Sequence, residues 1–144
     1  MGEAVELEVP ARPDFLVIIR MVVTAFAHLH PEYGEEQVDD LRLAVSEACT
    51  NGIDAHTTLS IAEPIKVRCE HSPTEMCVTV IDHGPGFDPT DIQPHPPVTD
   101  PARLEYERGL GIPLIMTLTD ESHFDSGEGG TSVRLVVRPA PVVL

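Results

Sequence analysis

Apolar side chains recur at regular intervals through both ends of this chain, and the regularity stops in between. From residue 83 to residue 108 neither helical nor strand spacing is found, and six of the 14 prolines fall there: Pro85, Pro89, Pro94, Pro96, Pro97 and Pro101. A structureless connection longer than about 15 residues is uncommon inside a folded unit and is usually functional or disordered. The core must therefore come from the flanking segments, and the fold must tolerate a long insertion between them.

Those segments read clearly. Residues 4–9 alternate, with Val5, Leu7 and Val9 on one face of a half-buried strand. Pro10 and Pro13 interrupt it. Asp14 is placed to cap a helix carrying Phe15, Ile18, Ile19, Val22, Phe26 and Leu29, which Pro31 and Gly34 end. A second helix is expected from Glu35 to His56, with Val38, Leu41, Val45, Ala48 and Gly52 as its buried stripe. Strands Ile65–Glu70 and Met76–Asp82 follow, joined by a hairpin loop at 71–74. After the proline-rich span a helix resumes at Gly109, with Ile112, Ile115 and Leu118 inward; Pro113 fits only in its first turn. Strands 122–126 and 132–138 are joined by Gly127-Glu128-Gly129-Gly130, and 139–144 is expected to fray. Two hairpin-linked strand pairs among helices predict an α+β fold, a mostly antiparallel sheet with helices on one face. The 144 residues suit one domain, 1–144.

Composition excludes several classes. Nine basic residues against 24 acidic ones give a net charge of −15. The one lysine, Lys66, and the scattered arginines form no cluster for a phosphate backbone, so no direct nucleic-acid partner is expected. An acidic surface keeps a chain soluble and can also steer a basic protein partner. No apolar run is long enough for a membrane span, and the acidic start MGEAVELEVP lacks the pattern of a secretion signal. The cysteines, Cys49, Cys69 and Cys77, form no CxxC pair and are expected to be buried, reduced thiols of a cytoplasmic protein.

Four short constellations carry possible chemistry. Glu47 and Asn51 stand four apart on the second helix and so project from one face, with Asp54 near the same stripe. A carboxylate beside a carboxamide makes a hard-oxygen site suited to Mg²⁺; an ordinary solvated helix face would read the same way. Asp82-His83-Gly84-Pro85-Gly86-Phe87 closes an apolar strand. Asp82 can accept from an exocyclic amine there, and Gly84 and Gly86 let backbone approach a flat ligand; a plain turn uses the same residues. Arg108-Gly109-Leu110-Gly111 opens a helix, where free N–H groups hold phosphate. Gly129-Gly130-Thr131 alone is a hairpin turn. The order and spacing of all four are much harder to obtain by chance than any one of them.

Taken together these segments resemble the GHKL ATPase superfamily and, within it, the anti-sigma-factor serine kinases of Gram-positive bacteria. VSEACTN at 45–51 resembles the N box, DHGPGF at 82–87 the G1 box, ERGLGIPLI at 107–115 the G2 box, and GGT at 129–131 the G3 region. The P-loop signature is absent, as in that family. The resemblance implies a Bergerat two-layer sandwich that binds ATP and Mg²⁺. It implies Glu47 as general base, Asn51 as Mg²⁺ ligand and Asp82 as partner of the adenine amine. Gly84 and Gly86 would pass close to the base, and 88–108 would form the ATP lid. Arg108, Gly109 and Gly111 would lie at the phosphates, and Thr131 would support the adenine pocket. Arg20 matches an arginine used on protein partners. The family's His four residues past the Asn falls on Ala55 here, with His56 following, and Gly52 stands where Ala is usual.

The function so implied is an anti-sigma factor that sequesters an alternative sigma factor and phosphorylates a serine or threonine of a STAS-type antagonist, working as a homodimer. Two other readings fit the same residues. One is a nucleotide-gated binding module with weak catalysis; the other is a detached ATPase domain that phosphorylates a histidine.

Overall fold

The computed structural model describes residues 2–85, 111–127 and 129–141. The expected lid at 88–108, with the candidate residues Gly86, Arg108 and Gly109, lies outside them. Strand β1 spans Glu3–Val9, helix α1 Leu16–His28, helix α2 Glu35–Leu59, strand β2 Ile65–His71 and strand β3 Met76–Asp82. Helix α3 spans Gly111–Leu118, strand β4 Glu121–Gly127 and strand β5 Gly130–Val137. The five strands form one antiparallel sheet in the order β1-β2-β3-β5-β4, so the fold is α+β as expected.

Alternation decides which face meets the helices. Ile65, Val67 and Cys69 of β2, Val78 and Val80 of β3, and Val133, Leu135 and Val137 of β5 are buried and form the core with α1, α2 and α3. The opposite face is charged. Lys66 pairs with Glu6 and Glu8 at 3.7 and 3.6 Å, and Arg68 pairs with Glu6 and Glu70 at 3.4 and 3.0 Å. These exposed pairs add little stability, but they keep that face wet and leave one side of the sheet to the helix layer.

Three local readings are corrected. Asp14 does not cap α1: it sits in a 3-10 turn at Pro13–Phe15, and its carboxylate accepts from Arg12 Nε and Nη2 at 3.3 and 3.2 Å. In α1 the buried residues are Ile19, Val23, Phe26 and Ala27, while Ile18 and Leu29 face solvent. The stretch is apolar on nearly every side, so periodicity alone leaves the inward face open. Helix α2 runs one turn past His56, to Leu59, and ends at Ser60 with a left-handed φ of 55°.

Cys49, Cys69 and Cys77 are free and buried, as expected. Burial pushes the Cys49 thiol up to about 12 and the Cys69 thiol up to about 11, so both stay protonated at neutral pH. Among the described residues no helix is long and apolar enough to cross a membrane.

Candidate functional site

On α2 the buried stripe Val38, Leu41, Val45, Ala48 and Gly52 packs inward as expected. Glu47 and Asn51 lie beside it, half-buried, whereas Asp54 turns out to solvent. Four residues of helix separate Glu47 from Asn51 by about 6 Å along the axis, on one face.

The other half of the site comes from strand parity. Val78 and Val80 point toward the helices, and Asp82 is the next residue in that series. A carboxylate is thereby delivered to the core side at the end of β3, only 6% exposed. Its Oδ1 accepts from the Gly84 N–H at 2.7 Å. Its Oδ2 meets no donor among the described residues. Burial raises the Asp82 carboxyl above its ordinary 3.8, and the Gly84 bond opposes that rise.

Missing side chains let the pieces close on one another. A Cβ at Gly52 would stand 3.0 Å from Asp82 Oδ2, and one at Gly84 would stand 2.8 Å from the Ala55 Cβ. Gly130 has φ +138°, and a Cβ there would stand 2.2 Å from the Asp82 carbonyl oxygen. Only glycine fits such a backbone. It allows Thr131 to pair with Asp82 in the β3–β5 register. Thr131, 3% exposed, then donates its Oγ1 hydrogen to the Gly84 carbonyl at 3.2 Å. The GGT segment thus buttresses the Asp82–Gly84 turn directly.

His56 is the residue that sequence reasoning undervalued. It is 2% exposed. Its Nε2 accepts from the His83 backbone N–H at 2.8 Å, which makes Nδ1 the protonated nitrogen, donating to the Glu63 carbonyl at 3.0 Å. A neutral imidazole therefore holds the turn after Asp82 from behind. The signal was present: the stripe at 38, 41, 45, 48 and 52 continues by four to 56. Ala55 packs against Gly84, so the position where the family has its histidine here carries only a methyl group.

Gly111 is the first described residue of α3, whose Ile115 is fully buried and Ile112 nearly so. Arg20 stands apart from this turn. It is exposed on α1, and its Nε donates to Ser46 Oγ at 2.8 Å, one residue before Glu47. Val17 and Met21 beside it are 57% and 66% exposed. The structure thus brings Asp82, Gly84 and Thr131 against the α2 segment that follows Asn51, and ties Arg20 to the segment that precedes Glu47.

The donor set fits a purine nucleotide. A nearly buried carboxylate whose second oxygen meets no donor among the described residues, next to the backbone of Gly84, suits a flat base bearing an amine. The Glu47 carboxylate and Asn51 carboxamide are hard oxygen donors, the kind Mg²⁺ takes.

Comparisons with known proteins point the same way. A profile described as the histidine kinase-like ATPase domain matches residues 9–137. The chain is 33% identical over 135 residues to the serine-protein kinase RsbW of Bacillus licheniformis, covering 90% of this chain and 83% of that protein. It is 32% identical over 134 residues to the serine-protein kinase RsbW of Bacillus subtilis, covering 90% and 82%. In fold it is similar to the structure of the RsbU and RsbW domains of Rv1364c from Mycobacterium tuberculosis, with TM-score 0.68 and 18% identity. That match covers 99% of this chain and 35% of the longer one. The structure of the SiaB–SiaC complex from Pseudomonas aeruginosa matches with TM-score 0.63 and 15% identity, over 92% of this chain and 88% of that one. With a Bergerat sandwich, its boxes in order and relatives of this identity over nine-tenths of its length, the chain belongs to the histidine kinase-like ATPase family, in its branch of RsbW-type serine-protein kinases.

Proposed function

We propose that this protein is an anti-sigma factor that phosphorylates a serine or threonine of a STAS-type antagonist with ATP. In this reading Asp82 accepts the adenine amine on Oδ2, and Gly84 and Gly86 admit the base edge-on. Thr131 holds the turn. Residues 88–108 cover the nucleotide, and Arg108, Gly109 and Gly111 receive its phosphates. Asn51 holds Mg²⁺, which when bound neutralises phosphate charge. Phosphoryl transfer asks for positioning and charge neutralisation more than covalent help. Glu47 supplies the remaining element, a carboxylate four residues before Asn51 that takes the proton of the attacking hydroxyl.

The observation that carries the reading is a nearly buried Asp82 at the end of β3 whose Oδ2, among the described residues, meets no donor. Arg20, among the exposed Val17, Ile18 and Met21, offers a charged anchor inside an apolar patch. Such patches mark protein contacts. The patch supports a protein partner there, either the alternative sigma factor or the second subunit of a homodimer. The cytoplasm is the compartment where those partners meet.

One observation favours the nucleotide-gated module instead. The imidazole at this turn comes from His56, buried behind it, and position 55 offers only a methyl group, so ATP can order the lid and switch partner affinity without efficient transfer. Incubating the protein with γ-labelled ATP and a STAS-domain protein separates the readings. Acid-stable label on the STAS protein, lost in Glu47→Ala while ATP still binds, supports the kinase. Tight ATP binding without transfer supports the module, and acid-labile label points to a phosphohistidine.

A further inference from the structure

A second polar cluster lies at the other end of the sheet. His71 closes β2 and pairs across the hairpin with Met76, whereas Asp82 ends β3, about 20 Å of strand away. Three segments converge at His71. Glu3 at the start of β1 is its cross-strand partner. His30, just after α1, stacks its ring on that of His71 with centroids 3.4 Å apart and planes 14° from parallel. Glu32 places Oε1 2.9 Å from His71 Nε2 and 4.0 Å from His30 Nδ1.

The inconsistency in this cluster is His30. It is 7% exposed, and its Nε2 is buried without a hydrogen bond. The nearest carboxylate oxygen, Glu3 Oε2, stands 3.4 Å away, at ion-pair distance but without hydrogen-bond alignment. An unpaired buried polar nitrogen costs free energy that a ligand would recover. Among the described residues, Glu3, His30 and His71 are the one set of three such groups whose ligating atoms all lie within 4.8 Å of one another.

We infer that Glu3, His30 and His71, with Glu32 beside them, form a binding site for a divalent transition-metal ion of the Zn²⁺ class. The chemistry is specific. Imidazole suits Zn²⁺ and its neighbours rather than Mg²⁺ or Ca²⁺. Metal–nitrogen bonds of about 2.0–2.1 Å in a tetrahedron put ligand atoms about 3.3 Å apart. The 3.4 Å between Glu3 Oε2 and His30 Nε2 already approaches that spacing, and all the ligating atoms of Glu3, His30 and His71 lie within 4.8 Å of one another. Two carboxylates and two neutral imidazoles around a divalent cation sum to zero charge, in a chain whose net charge is −15. The exposed Glu3 and Glu32 side chains are free to swing the last ångström. Bound metal would clip the edge strand β1 to the α1–α2 connection and the β2–β3 hairpin, remote from the nucleotide turn.

The test titrates the full chain, stripped with a chelator, with ZnCl₂ by calorimetry, and with Co²⁺ by visible absorption. One equivalent is expected to bind with a micromolar or tighter dissociation constant and to raise the melting temperature, with a tetrahedral Co²⁺ spectrum. His71→Gln and the surface change Glu3→Gln should each weaken binding at least about tenfold, while exposed His28→Gln should not. Weaker binding in the unaltered chain, or affinity unchanged by both His71→Gln and Glu3→Gln, overturns the site. Glu3→Gln alters only an exposed side chain, so a folding defect in His71→Gln cannot decide the outcome.

Discussion

Asp82 is asked to do two opposed things. As a buried carboxylate with a raised pKa it costs stability; as an acceptor, in the function proposed, it selects the base. The sign follows from linkage. A carboxyl whose folded pKa lies above its unfolded value destabilises the fold at high pH, and the cost fades as pH falls through the raised value and vanishes below the ordinary 3.8. Asp82→Asn can still accept from Gly84 but turns an amide N–H₂ toward the adenine amine. The variant should melt at or above the parent temperature at pH 7.5, with the advantage shrinking toward acid pH. Its ATP affinity should fall at least about tenfold. Calorimetric titration and melting curves over that pH range check both halves. His56→Ala should behave in the opposite way. It orphans the His83 N–H and the Glu63 carbonyl and opens a hole, for a loss of about 2–4 kcal/mol in urea unfolding.

At the scale of elements, the sheet was largely readable before any coordinates. Alternation in Ile65–Cys69 and Met76–Val80 named the buried face, and that parity carries Asp82 and Thr131 to the helix side. Helix α1 was not readable in this way. A segment apolar on several faces presents more than one consistent stripe, and only the packing against α2 and β2 chose Ile19, Val23 and Phe26. The Asp14 cap failed because the 3-10 turn Pro13–Phe15 takes Asp14 into itself and leaves Phe15 at the N-cap position of α1. Local pattern also could not show that His56 supports the Asp82 turn, since that requires the fold to bring β3 onto α2. Gly130 joins the two ideas, since its φ of +138° and its contact with the Asp82 carbonyl demand the absence of a side chain. Gly130→Ala should cost about 1–3 kcal/mol, read by urea unfolding, and should weaken ATP binding as well. A fully stable Gly130→Ala would show that the β4–β5 turn does not press on Asp82.

Across the whole molecule, the two candidate surfaces occupy different places. The turn proposed to take the nucleotide lies where α2 meets the ends of β3 and β5, whereas Arg20 and its apolar neighbours face outward from α1. The bond from Arg20 to Ser46 gives them one shared helix, next to Glu47. Arg20→Ala should therefore weaken capture of a protein partner at least about tenfold in pull-down or interferometry, with ATP affinity little changed. Equal loss of both would mean that the Ser46 contact positions the nucleotide site. The central claim is that a carboxylate at the end of β3 reads an adenine amine. Parallel calorimetric titrations of the protein with Mg-ATP and Mg-GTP test it most directly, because guanine presents a carbonyl where adenine presents that amine. Saturable ATP binding with GTP at least about tenfold weaker, and loss of that preference in Asp82→Asn, is the predicted result. Equal binding of both nucleotides, or an ATP preference that survives Asp82→Asn, would contradict it.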